Sequence, residues 1–185
     1  MRRTLPARTA PLLASLLACT LALAGCDSGS GTEEKGTIRT APPSSSSSAP
    51  AVPDLRPVAE GPCPYLSERE ASDLGGEKVL SVKTDPQVDP PGCFFYAADQ
   101  RVTLTTSVFS VESEEKARSL VDQSAPPAST ERADVEGGWT GGRSGGPGGA
   151  LLAVAKGSRV VVVQSTQEQS VKVQRIAELV IPRLG

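Results

Sequence analysis

Histidine is absent from the 185 residues, and aromatic side chains are scarce, with one tryptophan, two tyrosines and three phenylalanines. Without histidine, a serine or cysteine nucleophile lacks its commonest base, and a zinc site lacks its commonest nitrogen ligand. The chain therefore reads as a non-enzyme. So few rings leave little from which to assemble a stacking platform for bases or sugars. Positive charge is also in short supply. Over residues 59–185, thirteen Lys and Arg stand against seventeen Asp and Glu, a formal charge of −4. No basic face is concentrated enough for a phosphate backbone, and no nucleic-acid partner is expected. Carboxylates do not make up for these absences. Asp85 and Asp89 flank prolines in a loop, and two isolated carboxylates fall short of the six or more oxygens a calcium ion takes. No metal and no cofactor are expected.

Apolar runs are equally rare, and the one at the amino end is informative. Arg2, Arg3 and Arg8 give a positive start, after which residues 9–25 carry no charge and are rich in Leu and Ala. That layout is an export signal. At 17 residues it sits at the lower edge of what a permanent bilayer-spanning helix needs. Leu23-Ala24-Gly25-Cys26 resembles the bacterial lipoprotein signal, in which the cysteine is acylated and the chain is cut before it. The resemblance implies a signal peptide over 1–25 and a diacylglyceryl and palmitate-type modification on Cys26. It implies residence on the outer face of the cytoplasmic membrane, facing the cell wall. Stable anchoring needs more than one acyl chain at about 0.8 kcal/mol per buried methylene, and such a cysteine supplies two or three. Cys19 lies within the apolar run and leaves with it.

From Cys26 to Val58 the composition shifts to Gly, Ser, Thr, Pro and Ala, including five consecutive serines at 44–48. No apolar periodicity survives there, so the segment is expected to be a disordered linker with a root-mean-square reach of about 30 Å. Residues 59–185 are then a single domain.

Two cysteines remain in that domain, Cys63 and Cys93, and an even pair in an exported chain predicts a disulfide. The competing readings are two free thiols or a two-ligand metal site. Against the latter stand the missing histidine and the lack of any Cys-x-x-Cys spacing.

Ser67 with Glu70 makes a capping box for a short helix ended by Gly75-Gly76. Lys78–Lys83 and Cys93–Ala97 have strand composition, and Arg101–Val111 alternates with period two. Ser110 is placed to cap a helix whose first turn holds Glu112, Glu114 and Glu115, carboxylates that complement the helix dipole. Residues 150–155 and 159–164 flank Lys156-Gly157-Ser158 as a hairpin. Thr166 with Gln169 predicts a last capping box, ahead of Val173, Ile176, Ala177 and Val180 at helical spacing. Hairpin-linked strands and three amphipathic helices predict an α+β fold, a mostly antiparallel sheet of about five strands with three helices packed on one face.

Cys63-Pro64-Tyr65-Leu66, the capped helix ending in Gly75-Gly76, and Pro91-Gly92-Cys93-Phe94-Phe95-Tyr96 together resemble actinobacterial lipoproteins carrying a domain of unknown function, the family numbered 2020. More loosely they are similar to disulfide-tied extracytoplasmic sensor-like domains. The resemblance covers most of 61–185 and implies the Cys63–Cys93 bridge and an antiparallel sheet with helices. It implies no activity.

The most conspicuous internal stretch is EGGWTGGRSGGPGG at 136–149. A phosphate-cradling loop needs a helix amino terminus behind it and a Lys-Ser or Lys-Thr pair, and neither follows. The stretch reads as a flexible connection in which Trp139 and Arg143 are candidate binding residues. Trp139 would supply apolar contact, and Arg143 would pair with a carboxylate or phosphate. The expected function is a membrane-anchored binding or sensing module for a small molecule, lipid or cell-wall fragment. The alternative is an interaction or structural accessory that recruits another exported protein.

Overall fold

In the strand Arg159–Ser165, four consecutive valines are buried, Val160 and Val162 in one apolar cluster and Val161 and Val163 in another. Successive side chains of a strand point to opposite faces, so this strand is covered on both. The covering elements follow from the same division. The stripe Val173, Ile176, Ala177 and Val180 joins Val161 and Val163, whereas Ala117, Leu120 and Val121 join Val160 and Val162.

The computed structural model describes residues 53–185. The expected signal peptide, Cys19, Cys26 and the expected linker as far as residue 52 lie outside the described residues. Eight strands form one sheet: β1 (Ala59–Glu60), β2 (Ser81–Asp85), β3 (Gly92–Tyr96), β4 (Val102–Ser110), β5 (Glu131–Val135), β6 (Trp139–Gly146), β7 (Gly149–Lys156) and β8 (Arg159–Ser165). Their spatial order is β1-β2-β3-β4-β8-β7-β6-β5, and every neighbouring pair is antiparallel. Helices α1 (Glu68–Gly75) and α3 (Ser170–Val180) pack on one face, and α2 (Glu114–Ser124) packs on the other.

Two expectations are thereby corrected. The sheet has eight strands rather than about five, and the three helices divide between its faces rather than sharing one. The undercount has physical causes. Strand β1 is two residues long, β5 has only Ala133 and Val135 as an apolar alternation, and β6 is glycine-rich sequence with none. The one-face expectation fails because β7 and β8 are apolar on both faces over residues 150–155 and 160–163, the mark of strands sandwiched between two layers.

Local signals set most helix ends. The Ser67–Glu70 capping box forms, and Gly76 closes α1 in the left-handed region at φ 78°. Helix α2 is capped by Ser113 and not by Ser110, which is the last residue of β4 and still paired with Arg159. Gln169 occupies the cap of α3 without a side-chain bond. Thr166 is taken up elsewhere, its N–H donating to the Thr103 carbonyl and its hydroxyl accepting from Arg101.

Cys63 and Cys93 are bonded, tying the segment ahead of α1 to β3. Beside them the Tyr65 hydroxyl lies 2.9 Å from the Pro91 carbonyl oxygen and 3.0 Å from that of Thr106. Burial pushes this phenol up to about 12, only partly offset by a bond from the Thr106 hydroxyl. Residues 53–58, within the stretch expected to be linker, lie against the sheet. The Arg56 N–H donates to Asp85 Oδ2 at 2.7 Å, and Leu55 sits so close to Gly92 that a Cβ there would come within 2.9 Å of its Cδ1.

Candidate functional site

The glycine-rich stretch is not a loose connection. Gly137 and Gly138, with φ 86° and 83°, form the tight turn between β5 and β6, and the strand itself occupies Trp139–Gly146. Its glycines are required by close approach. A Cβ at Gly142 would lie 2.6 Å from Thr130 Oγ1 and 3.1 Å from Ala125 Cβ, where α2 ends. At Gly145 it would meet the Glu168 carbonyl oxygen at 2.3 Å, ahead of α3. Layers on both faces come down onto β6 because it has almost no side chains there.

Trp139 is the exception, and it stands at the end of the sheet where α3 runs out. It pairs with Val135 across the β5–β6 hairpin. Continued one step past the Thr140–Ala155 pair, the register sets Lys156 alongside it, and Lys156 in turn pairs with Arg159. One transverse row thus reads Val135, Trp139, Lys156, Arg159 over four strands. The row floors a cleft of about 920 Å³, walled by Ile181 and Pro182 from the turn after α3 and by the β5–β6 and β7–β8 turns. That volume lies within the range that holds a drug-sized ligand, roughly 300–1,000 Å³.

Charge is placed unevenly round the cleft. Glu136 lies at the β5 end of the row and Lys156 toward its other end, with Glu178 on the helix side. Arg159 Nη1 donates to the carbonyls of Leu184 at 3.0 Å and Gly185 at 2.7 Å, and Glu178 accepts from Gln174 at 3.1 Å. The side chains of Glu136 and Lys156 have no hydrogen-bond or ion-pair partner among the described residues.

Arg143, the other candidate, does not join Trp139. It lies four residues along the same strand, about 13 Å away at the usual strand rise. Its Nη1 donates to Gln174 on α3, and its buried Nε has no hydrogen-bond partner, the Glu131 carboxylate standing 3.8 Å off. It lines a separate polar cavity of about 620 Å³ with Glu131 and Glu168. The bond to Gln174 ties β6 to α3, and Trp139 and Arg143 line different cavities.

Sequence reasoning missed Lys156, Arg159, Ile181 and Pro182 as cleft residues. Only the register across the two hairpins brings them to Trp139, and β5 and β6 cannot be placed in that register from their own residues. Among the described residues, no cluster of three or more His, Cys, Asp or Glu is grouped to hold a metal ion.

No curated protein matches the chain. The family model described as "Domain of unknown function (DUF2020)" matches residues 45–185, which takes in the whole sheet, its three helices and the cleft, and the chain belongs to that family.

Proposed function

We propose that this chain is a membrane-anchored actinobacterial lipoprotein whose extracytoplasmic domain is a non-catalytic binding or sensing module. Its ligand is a small molecule, a lipid or a cell-wall fragment, seated in the cleft over Trp139. The observation that carries the reading is the cleft itself, an apolar floor of Val135 and Trp139 with charged groups at its ends. A concave apolar site with a few convergent polar groups is the commonest form of a ligand pocket. The address is supported by the Arg-led apolar segment ending in Leu23-Ala24-Gly25-Cys26, and export by the Cys63–Cys93 bridge. The Ser- and Pro-rich stretch that follows Cys26 gives the domain reach from the membrane.

Trp139 is the sole tryptophan of the chain, so the tryptophan emission comes from the cleft floor and the core it packs into. The protein is purified from its own membrane, weighed intact, and titrated with lipid extract and with solubilised wall fragments. A diacylglyceryl-sized addition on Cys26 and a saturable change in Trp139 emission, lost in Pro182→Arg, are expected. An unmodified Cys26 refutes the anchor, and an emission spectrum indifferent to both extracts refutes the binding module.

A further inference from the structure

We infer that the cleft takes a short peptide with free termini and an apolar centre, its ammonium group toward Glu136 and its carboxylate toward Lys156. The inference rests on the reading of the cleft as a ligand site and names the chemistry of the ligand.

Order along the row is the argument. Glu136 follows the last residue of β5, the apolar pair Val135 and Trp139 spans β5 and β6, and Lys156 ends β7. The sequence of surfaces is therefore anionic, apolar, cationic. Two inter-strand spacings separate β5 from β7, roughly 10 Å. An extended chain advances about 3.3–3.6 Å per residue, so three residues carry their terminal charges that far apart. The remaining two charges of the cleft already have partners, Arg159 in the carbonyls of Leu184 and Gly185, and Glu178 in the Gln174 amide. Glu136 and Lys156 are left without one, opposite in sign, at the two ends of an apolar floor. A ligand with one charge would satisfy one end only, and an uncharged apolar ligand neither.

The test uses the whole chain and three probes, the tripeptide Ala-Leu-Ala with both termini free, its N-acetyl form and its C-terminal amide. The Trp139 indole N–H resonance is followed at low ionic strength. The free peptide should shift it saturably, and each capped form should bind about five-fold more weakly, the size expected of one charge pair at a solvated mouth. Added salt should shrink both differences. Glu136→Gln should erase the penalty of acetylation while leaving that of amidation, and Lys156→Gln should do the reverse. Both positions are exposed, Glu136 in the β5–β6 turn and Lys156 at the end of β7, and an unchanged circular dichroism spectrum confirms that each variant folds. Equal binding of all three peptides overturns the inference and leaves the cleft standing as a ligand site. So does a resonance that moves with membrane or wall extract but with no peptide. A resonance that moves with neither overturns both.

Discussion

Arg183 Nη2 lies 2.6 Å from Glu70 Oε1 while its Nη1 lies 2.9 Å from Oε2 and 3.1 Å from the Tyr65 carbonyl oxygen. The turn after α3 is thus forked onto the first turn of α1, 113 residues earlier in the chain. The contact closes the α1–α3 side of the sheet. The Arg183 guanidinium, followed by the Ser67 backbone and hydroxyl donors, holds the Glu70 carboxyl down at about 2.

A depressed carboxylate contributes stability that is complete above its ordinary pKa and lost as pH falls toward the folded value. The window here runs from about 4.5 down to about 2. Both side chains keep a third or so of their exposure, so the pair is worth about 1 kcal/mol, well below what the shift alone would give. Glu70→Gln keeps the capping box and removes the charge. Urea midpoints measured from pH 6 to pH 2 should show the variant about 1 kcal/mol less stable at pH 6 and converging on the parent at pH 2. Parallel curves would show that the fork contributes nothing through charge.

The Cys63–Cys93 bridge spans a sequence separation of 30. Constraint of the unfolded chain over such a loop is worth about 3.6 kcal/mol. Cys63→Ser with Cys93→Ser should lower the unfolding free energy by roughly that amount. The cost should appear mainly as a lower urea midpoint, together with a rise in m as the unfolded state expands. A double variant as stable as the parent would mean that α1 and β3 are held by packing alone.

Glycines on this chain divide into those that make room and those that do not. An alanine Cβ at Gly145 would press on backbone, 2.3 Å from the Glu168 oxygen and 2.8 Å from the Ser170 nitrogen. Neither atom can swing away, and Gly145→Ala should cost about 1–3 kcal/mol. At Gly75, the last residue of α1, nothing stands within 4 Å and φ is not left-handed. Gly75→Ala should stabilise by roughly 0.5–1 kcal/mol through lower unfolded-state entropy. Thermal melts of the two variants should move in opposite directions, and a shared direction would refute the division.

These glycines also explain what could be read from the sequence. Residues 150–164 announce their hairpin because two continuous apolar runs flank a Gly-Ser turn, and α3 announces itself through Val173, Ile176, Ala177 and Val180. Strand β6 is silent. Glycine stands at 141, 142 and 145 because neighbouring atoms leave no room for a Cβ there, so close packing leaves no apolar period behind. Half of the candidate site was lost with it. Trp139 stands out as the sole tryptophan, but Lys156 and Arg159 come to it only through a register that β6 hides. Arg143 attracts attention for the same reason as Trp139, its isolation among glycines, and the strand rise alone separates them. The two-sided cover of β8 was written in its four valines, which fit a buried central strand better than an alternating one.

Asp85 fastens the segment at 53–58 to the sheet, accepting from the Arg56 N–H at 2.7 Å and from the Gln87 N–H at 3.0 Å. Those two amides, Arg56 first, hold its carboxyl below the ordinary carboxylate value. By the same sign rule the fastening is complete at neutral pH and lost as Asp85 is protonated in acid. Asp85→Asn leaves a single acceptor oxygen for two donors, so one amide loses its partner at every pH. Hydrogen exchange at Arg56 and Val58 should then quicken by about ten-fold or more, the scale of a lost charge-assisted bond. Exchange at Val161, buried in the central strand, should hardly change, because the segment can detach without opening the core. If Arg56 exchanges no faster in the variant, the segment is held by Leu55 against Gly92 and by the short β1–β2 pairing, and Asp85 is only a turn residue for Gln87.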